Sequence, residues 1–313
     1  MNAEILKLAK LPPWLDEKLL AAFTIHDITT APDRDAFIAQ VAPGVRGIIC
    51  TSSRSSVPGS FIRKLPKLEI LTVTGVGYDG VDLAACRERN VIVTNTPGVL
   101  TDDVADVALS LVLNTARQFV KSHSYVMSGA WSKGMMPLAT KVGGKTAGIL
   151  GLGRIGKAIA KRLAACGMKV LYHGRRKQPD EPYEFCATLM ELAEKSDFLV
   201  VSCEGGAETQ GLVNKEILAA LGKDGTIINI ARGSIIDEAA LIAALENNAI
   251  KAAGLDVFVT EPRVPEALLK LENVVLYPHV GSATSETRKA MGNLAFDNLE
   301  AHFSGKPVLT RVV

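Results

Sequence analysis

Short apolar runs alternate with amphipathic stretches along almost the whole chain. In the first 95 residues, runs at 5–8, 23–25, 45–50, 70–74 and 91–94 predict strands, while 17–22, 34–41 and 83–89 predict helices or helical turns. Strands that alternate with helices imply a parallel sheet and a small α/β domain. The turn cluster Asn95-Thr96-Pro97-Gly98 leads to a long helix that Thr101 would cap and that should run to about Val120. Such a helix would carry the chain from a first domain to a second. Residues 121–142 show no clear period, yet they hold Tyr125, Met127, Trp131, Met135 and Met136 among polar neighbours. They fit a subunit interface or ordinary core packing equally. From 147 the alternation resumes, with strands predicted at 147–150, 169–173, 198–201, 226–230, 252–255 and 274–277. Helices are predicted at 157–167, 189–195, 215–221 and 238–247. About six parallel strands is the count of a doubly wound sheet. A last helix at 287–303 ends at Gly305 and Pro307 and should return to the first domain, which would then be discontinuous.

One βα junction carries the strongest chemical signal. The run 147–150 leads into Gly151, Gly153 and Gly156, the spacing G-x-G-x-x-G, and a helix follows with Ile155, Ile159 and Leu163 on one face. The first glycine permits the tight turn and the second lets a pyrophosphate approach bare backbone. The third lets the helix pack close to the sheet with its N-terminal N–H groups toward the phosphates. The next strand ends in Gly174, Arg175 and Arg176, and no Asp or Glu occurs between Gly167 and Pro179. A carboxylate there would accept from the ribose 2′-hydroxyl of NAD, whereas cations suit the 2′-phosphate of NADP. The junction therefore reads as an NADP(H) site at which NAD(H) remains possible. The missing acid also argues against a methyltransferase. A relaxed P-loop pattern at Ala139, Gly144, Lys145 and Thr146 is rejected, because its Lys-Thr precedes a strand and Ala139 stands where a glycine is needed.

Composition narrows the class without changing this reading. The 313 residues suggest two domains, and 48% hydrophobic with 22% charged residues is ordinary for a soluble globular protein. A net charge of +2 gives no electrostatic reason to expect nucleic acid. Cys50, Cys86, Cys166, Cys186 and Cys203 are scattered, which suits free thiols in a reducing cytoplasm better than disulfides or a metal site. No apolar run reaches the ~18 residues of a membrane span, and no signal layout opens the chain, so a cytoplasmic protein without a membrane partner is expected.

Three strand ends in the second half carry further polar groups: Arg232 in Asn229-Ile230-Ala231-Arg232-Gly233, Asp256 and Glu261 in the stretch 256–262, and His279 after Tyr277-Pro278. The C-terminal edges of a doubly wound sheet share one crevice. A cation, a carboxylate and a histidine there suit reduction of a 2-oxo acid. Arg232 would grip the substrate carboxylate and polarise the keto oxygen, and His279 would protonate the developing alkoxide. Glu261 would orient the imidazole and hold its protonated form. In the first half, 74–79 (T-G-V-G-Y-D) also sits at a strand end. Free N–H groups at Val76 and Gly77 would suit a substrate carboxylate, although a plain strand–turn–helix fits equally.

With these motifs in place, the chain resembles the D-isomer-specific 2-hydroxyacid dehydrogenases, in style nearest to NADPH-preferring glyoxylate/hydroxypyruvate and hydroxyphenylpyruvate reductases. The resemblance runs through G-V-G-Y-D at 75–79, the glycine loop, A-R-G at 231–233, G-L-D-V-F-x-x-E-P at 254–262 and P-H-x-G-S-A-T-x-E-T-R at 278–288. It implies a Rossmann-type doubly wound coenzyme domain over 99–284 and a smaller flavodoxin-like α/β substrate domain over 1–98 and 285–313. It further implies catalytic Arg232, Glu261 and His279, substrate contacts from Val76, Gly77, Arg232 and His279, Asp256 near the coenzyme carboxamide, and a homodimer built through the coenzyme domain. Coenzyme contacts are expected from Gly151, Gly153, Arg154, Ile155, Gly156, Gly174, Arg175, Arg176, Ile230, Ala231, Asp256 and Gly281, with no metal. Selectivity among 2-oxo acids would come from the region 52–56, Leu100 and, in a dimer, Trp131. Two departures stand out: Arg175-Arg176 in place of the commoner acid, and Cys203-Glu204-Gly205-Gly206 where many members have a Cys-Pro-Leu-like segment. The same fold also serves nucleotide-sensing corepressors, but no tail or docking extension marks this chain as one.

Overall fold

The computed structural model describes residues 3–52 and 55–313. In chain order the first elements are β1 (Glu4–Lys7), α1 (Pro13–Ala22), β2 (Thr24–Asp27), α2 (Arg34–Val41), β3 (Val45–Thr51), α3 (Gly59–Arg63), β4 (Ile70–Thr74), α4 (Leu83–Glu88) and β5 (Ile92–Thr94). Then come α5 (Thr101–Arg117), α6 (Phe119–Met127), β6 (Thr146–Leu150), α7 (Arg154–Ala165), β7 (Lys169–His173), β8 (Glu184–Phe185), α8 (Leu189–Glu194) and β9 (Phe198–Val201). The chain continues with α9 (Lys215–Leu221), β10 (Thr226–Asn229), α10 (Glu238–Glu246), β11 (Ala252–Leu255), α11 (Glu266–Leu269), β12 (Val274–Leu276) and α12 (Ser285–Phe303). Side chains start many of the helices: Asp33, Asp82, Thr188, Asn214, Asp237 and Thr284 each accept from a backbone N–H three residues on. Among the described residues no helix is long and apolar enough to cross a membrane.

Two compact units result, one from Met1–Leu100 with Thr284–Val313 and one from Thr101–Ala283. The first holds a five-stranded parallel sheet in the order β2-β1-β3-β4-β5, the flavodoxin-like order. Successive strand residues face opposite ways, so Ile5 and Ile70 enter a core with Phe23, Phe296 and Leu299, while Leu6 and Leu71 enter another with Ile48, Ile62 and Val93. Helix α12 thus supplies one face of this sheet from the far end of the sequence. Asn298 on that helix accepts from the N–H groups of Leu309 and Thr310, and Val312 donates to Val93.

The second unit holds seven parallel strands in the order β12-β11-β10-β9-β6-β7-β8. This is the doubly wound order with one strand more than the six expected. The addition, β8, is two residues long, too short for any apolar run to announce it. The topological switch lies between β6 and β9, where crossovers leave in opposite directions and open a crevice at the strand ends.

The helix expected to reach about Val120 stops at Arg117, because Gln118 adopts a left-handed conformation (φ +55°), and α6 starts afresh. Residues 119–127, most of which looked aperiodic, are therefore helical. No residue of α6 is buried, so the core-packing reading of this arm fails. Tyr125 donates to the Gly134 carbonyl and Thr140 N–H to the Ala116 carbonyl, folding the arm back while Trp131 stays 68% and Leu138 94% exposed.

The start of α7 sets a sharp steric limit. A Cβ on Gly156 would stand 2.1 Å from the Gly151 carbonyl oxygen, which is backbone and cannot rotate aside. Gly156→Ala should push α7 off β6 and lower stability by about 1–3 kcal/mol. Denaturant unfolding checks this, and an unchanged midpoint would show that the helix does not depend on the close approach.

Candidate active site

In the glycine loop of the second unit, Gly151 N–H donates to the His173 carbonyl (2.9 Å) and the loop carbonyls are taken up by side chains, while the amides that open α7 are left to the helix end. Gly151 turns off β6 at φ +97°, and a Cβ there would stand 2.6 Å from the Cys203 Cα at the end of β9. Ser202 Oγ donates to the Gly151 carbonyl (2.8 Å) and Gln178 Nε2 to the Leu152 carbonyl (2.7 Å). Gly153 begins α7 with no side-chain cap, and a Cβ on it would meet nothing within 4 Å. The first-turn N–H groups of Arg154, Ile155 and Gly156 lack intrahelical acceptors and adjoin this open ground. Unfilled donors at a positive helix end fit the pyrophosphate of a dinucleotide.

At the end of β7, Gly174 also has open space beside it, and Arg175 and Arg176 are exposed. The nearest carboxylate to Arg175 comes from the β9 turn, with Nη2 of Arg175 3.6 Å from Oε2 of Glu204.

The polar groups at β10, β11 and β12 form a second cluster in the same unit. Asn229 is buried at the end of β10; its Oδ1 accepts from Ala231 N–H (3.0 Å) and its Nδ2 donates to the Arg232 carbonyl (2.9 Å). These bonds fix the turn that carries Ile230, Ala231 and Arg232. Arg232 Nη1 donates to the Ala231 carbonyl at 2.7 Å. Glu261 Oε2 lies 2.7 Å from His279 Nδ1, and its Oε1 accepts from Phe258 N–H (3.2 Å). Burial opposes the charge on Glu261, but the His279 hydrogen bond and charge, the Phe258 N–H and the Arg232 charge outweigh it and hold this carboxyl below its usual value. The bond at Nδ1 leaves Nε2 as the ring nitrogen available to a substrate.

His279 itself has φ +55°, an uncommon conformation for a residue with a side chain. Asp256 stabilises the turn: its two oxygens accept from Val280 N–H (2.7 Å) and Gly281 N–H (2.8 Å). Its side chain is almost wholly buried, and burial raises its carboxyl above the ordinary value despite those two bonds and the nearby His279. A Cβ on Gly281 would reach 3.1 Å from Asp256 Oδ2, so the smallest residue keeps the turn on the carboxylate. Among the described residues, no group of three or more His, Cys, Asp or Glu side chains is placed to hold a metal ion.

In the first unit, Gly75 follows β4 at φ +147°; its N–H donates to Thr96 Oγ1 (2.9 Å), and Asn95 Nδ2 donates to the Val76 carbonyl (2.8 Å). The N–H groups of Val76 and Gly77 make no hydrogen bond among the described residues. Of the proposed selectivity region 52–56, Ser53 and Arg54 lie outside the described residues.

The profile of the D-isomer specific 2-hydroxyacid dehydrogenase NAD binding domain matches residues 109–281. The chain belongs to the D-isomer specific 2-hydroxyacid dehydrogenases. The hydroxyphenylpyruvate reductase of Plectranthus scutellarioides is 46% identical over 309 residues, spanning 99% of this chain and 98% of the relative. Glyoxylate/hydroxypyruvate reductase A of Arabidopsis thaliana is 44% identical with the same coverage. Among solved structures, a 2-hydroxyacid dehydrogenase from Ketogulonicigenium vulgare superposes with a TM-score of 0.93 at 45% identity, covering 100% of this chain and 99% of that one. The NADPH-dependent glyoxylate/hydroxypyruvate reductase of Sinorhizobium meliloti, solved with NADP and malonate, gives 0.92 at 42% identity, covering 100% and 97%. Full-length likeness to reductases makes this chain a dehydrogenase of that family and sets the corepressor alternative aside.

Sequence reasoning assigned no role to Asn229, Ser202 or Gln178. Asn229 stood within a quoted motif, and its place after a strand and before A-R-G was a usable signal. Gln178 and Ser202 had none, since each acts on a loop far away in sequence.

The Glu261 shift gives a pH signature. A carboxyl held below its unfolded value of ~4.3 contributes stability that is complete above that value and is lost as pH falls through the folded one. The stability gap between wild type and Glu261→Gln should be constant above about pH 5 and shrink below about pH 4. Urea unfolding across that range tests it, and a gap that widens on acidification would reverse the sign.

Proposed function

We propose that this dehydrogenase reduces a small 2-oxo acid of the glyoxylate or hydroxypyruvate type to the D-2-hydroxy acid, with NADPH preferred to NADH. The observation that carries the reading is the His279–Glu261 pair at 2.7 Å with the Arg232 charge acting on the same carboxylate. Bound at the glycine loop, the reduced nicotinamide coenzyme supplies a hydride to the substrate carbonyl. Gly151, Gly153, Arg154, Ile155 and Gly156 hold the pyrophosphate, while Gly174, Arg175 and Arg176 face the adenosine ribose. Ile230, Ala231, Asp256 and Gly281 line the nicotinamide side. Arg232 pairs with the substrate carboxylate and draws electron density toward the keto oxygen. His279 Nε2 delivers a proton to that oxygen as it gains charge, and Glu261 keeps the ring turned by holding Nδ1–H. In the first unit, the open amides of Val76 and Gly77 are candidate donors to a substrate carboxylate.

The exposed apolar arm favours a homodimer, since Trp131, Met135 and Leu138 are large apolar side chains left 68%, 87% and 94% exposed on one segment. The five cysteines are free thiols, three of them buried, which suits a reducing cytoplasm.

His279→Ala should lower kcat for 2-oxo acid reduction by about 10²–10⁴-fold and leave NADPH affinity nearly intact. Steady-state kinetics over glyoxylate, hydroxypyruvate, pyruvate and phenylpyruvates, with parallel coenzyme titrations, checks it; wild-type kcat in the variant would remove His279 from the chemistry.

The coenzyme preference is separately testable. Charge-assisted hydrogen bonds contribute ~1.5–3 kcal/mol each, so two arginines can favour NADPH by about 10²-fold. Replacing Arg175 and Arg176 together by Ala should raise KM for NADPH steeply and scarcely alter NADH kinetics. Equal kcat/KM for the two coenzymes in the unmodified enzyme would refute the preference.

A further inference from the structure

The turn after β9 contains an acid that the reaction does not use. Glu204 follows Cys203, whose backbone lies against Gly151, so its place beside the coenzyme loop is set by main-chain packing. Its carbonyl accepts from Thr209 Oγ1 at 2.8 Å, tying the turn 204–209 closed. Its carboxylate faces Arg175 across 3.6 Å, a single long contact between side chains that are 69% and 87% exposed. Such a pair adds little to stability. Nor does it occupy the guanidinium fork, because one contact beyond hydrogen-bond length leaves the donors of Arg175 unsatisfied and able to turn to another anion.

We propose that Glu204 is a coenzyme-selectivity residue that weakens the grip of the enzyme on a 2′-phosphate and so keeps the unphosphorylated dinucleotide usable. The inference rests on the reading of Arg175 as a 2′-phosphate ligand. A 2′-phosphate drawn to Arg175 carries up to two negative charges and must enter the field of a carboxylate already beside that arginine. It therefore competes for the cation and is repelled by the acid. A 2′-hydroxyl carries no charge and meets neither penalty.

The test measures coenzyme binding without substrate, so it stands apart from turnover. NADPH and NADH are titrated by nucleotide fluorescence against wild type, Glu204→Gln and Arg175→Ala, at low and at 0.5 M salt. Glu204→Gln should tighten NADPH by about 3–10-fold in low salt and change NADH by less than about twofold. Because both charges are exposed, the gain should largely vanish in 0.5 M salt, where the Debye length falls to about 4 Å. Unchanged NADPH affinity in Glu204→Gln, or an equal gain for both coenzymes, overturns the proposal. If Arg175→Ala binds NADPH as tightly as wild type, the phosphate-ligand reading itself fails, and this inference with it.

Discussion

A parallel sheet buried on both faces leaves no room for polar chemistry along its strands. Every residue of β6, β9, β10 and β11 except Thr146 is buried in the second unit; Leu150, Leu199, Val201, Ile227, Ala253 and Leu255 enter the core with α8, α9 and α10, while Gly254 on the other face lies against Leu111 and Thr115 of α5. Functional groups must therefore lie just past the strand ends, where backbone amides and helix N-termini are exposed. Gly151, Arg232, Asp256 and His279 each follow a strand within a few residues. Right-handed crossovers bring these ends to one edge, so their grouping is a property of the sheet order.

At that edge a buried carboxylate and a half-buried one divide the work. Asp256 is desolvated and spends both oxygens on the Val280 and Gly281 amides, which stabilises a turn that places His279 in a left-handed conformation. Glu261 is only partly buried and holds the ring itself. Their opposite displacements from the ordinary carboxylate value follow from this difference: burial dominates at Asp256, while a hydrogen-bonded partner and nearby cations dominate at Glu261. One group shapes the backbone, and the other orients the side chain.

The first unit obeys the same rule with another closing device. Its sheet is completed only when α12, nearly 200 residues after β5, lays Ala295, Phe296 and Leu299 on the face that Ile5, Ile49 and Ile70 present. The edge of β5 is covered by the C-terminal segment through Val93, Val312 and Val313. Among the described residues nothing covers the arm after α5 in this way, and its large apolar side chains remain at the surface.

Local pattern determined much of this protein. Apolar runs marked eleven of the twelve strands among the described residues, and the glycine spacing with Arg175 and Arg176 marked a candidate coenzyme loop, because each is a record of which backbone faces are buried or left bare. The polar residues at strand ends were equally legible, since a charged group just past an apolar run has few structural uses. Other features depended on residues distant in sequence. β8 exists only because Tyr172 and its neighbours offer an edge to pair with. The break at Gln118 is a single backbone rotation that no periodicity records. Whether 121–142 packs in the core is decided only by the fold, which turns the arm back and leaves Trp131, Met135 and Leu138 uncovered. The meeting of His279 with Glu261 arises where the adjacent strands β12 and β11 deliver their C-terminal ends together, and that of Arg175 with Glu204 reaches across the end of β6, which lies between β7 and β9. Sequence periodicity encodes the face a residue turns to, whereas its neighbour across a strand end is fixed by the order of the strands, which only the folded sheet decides.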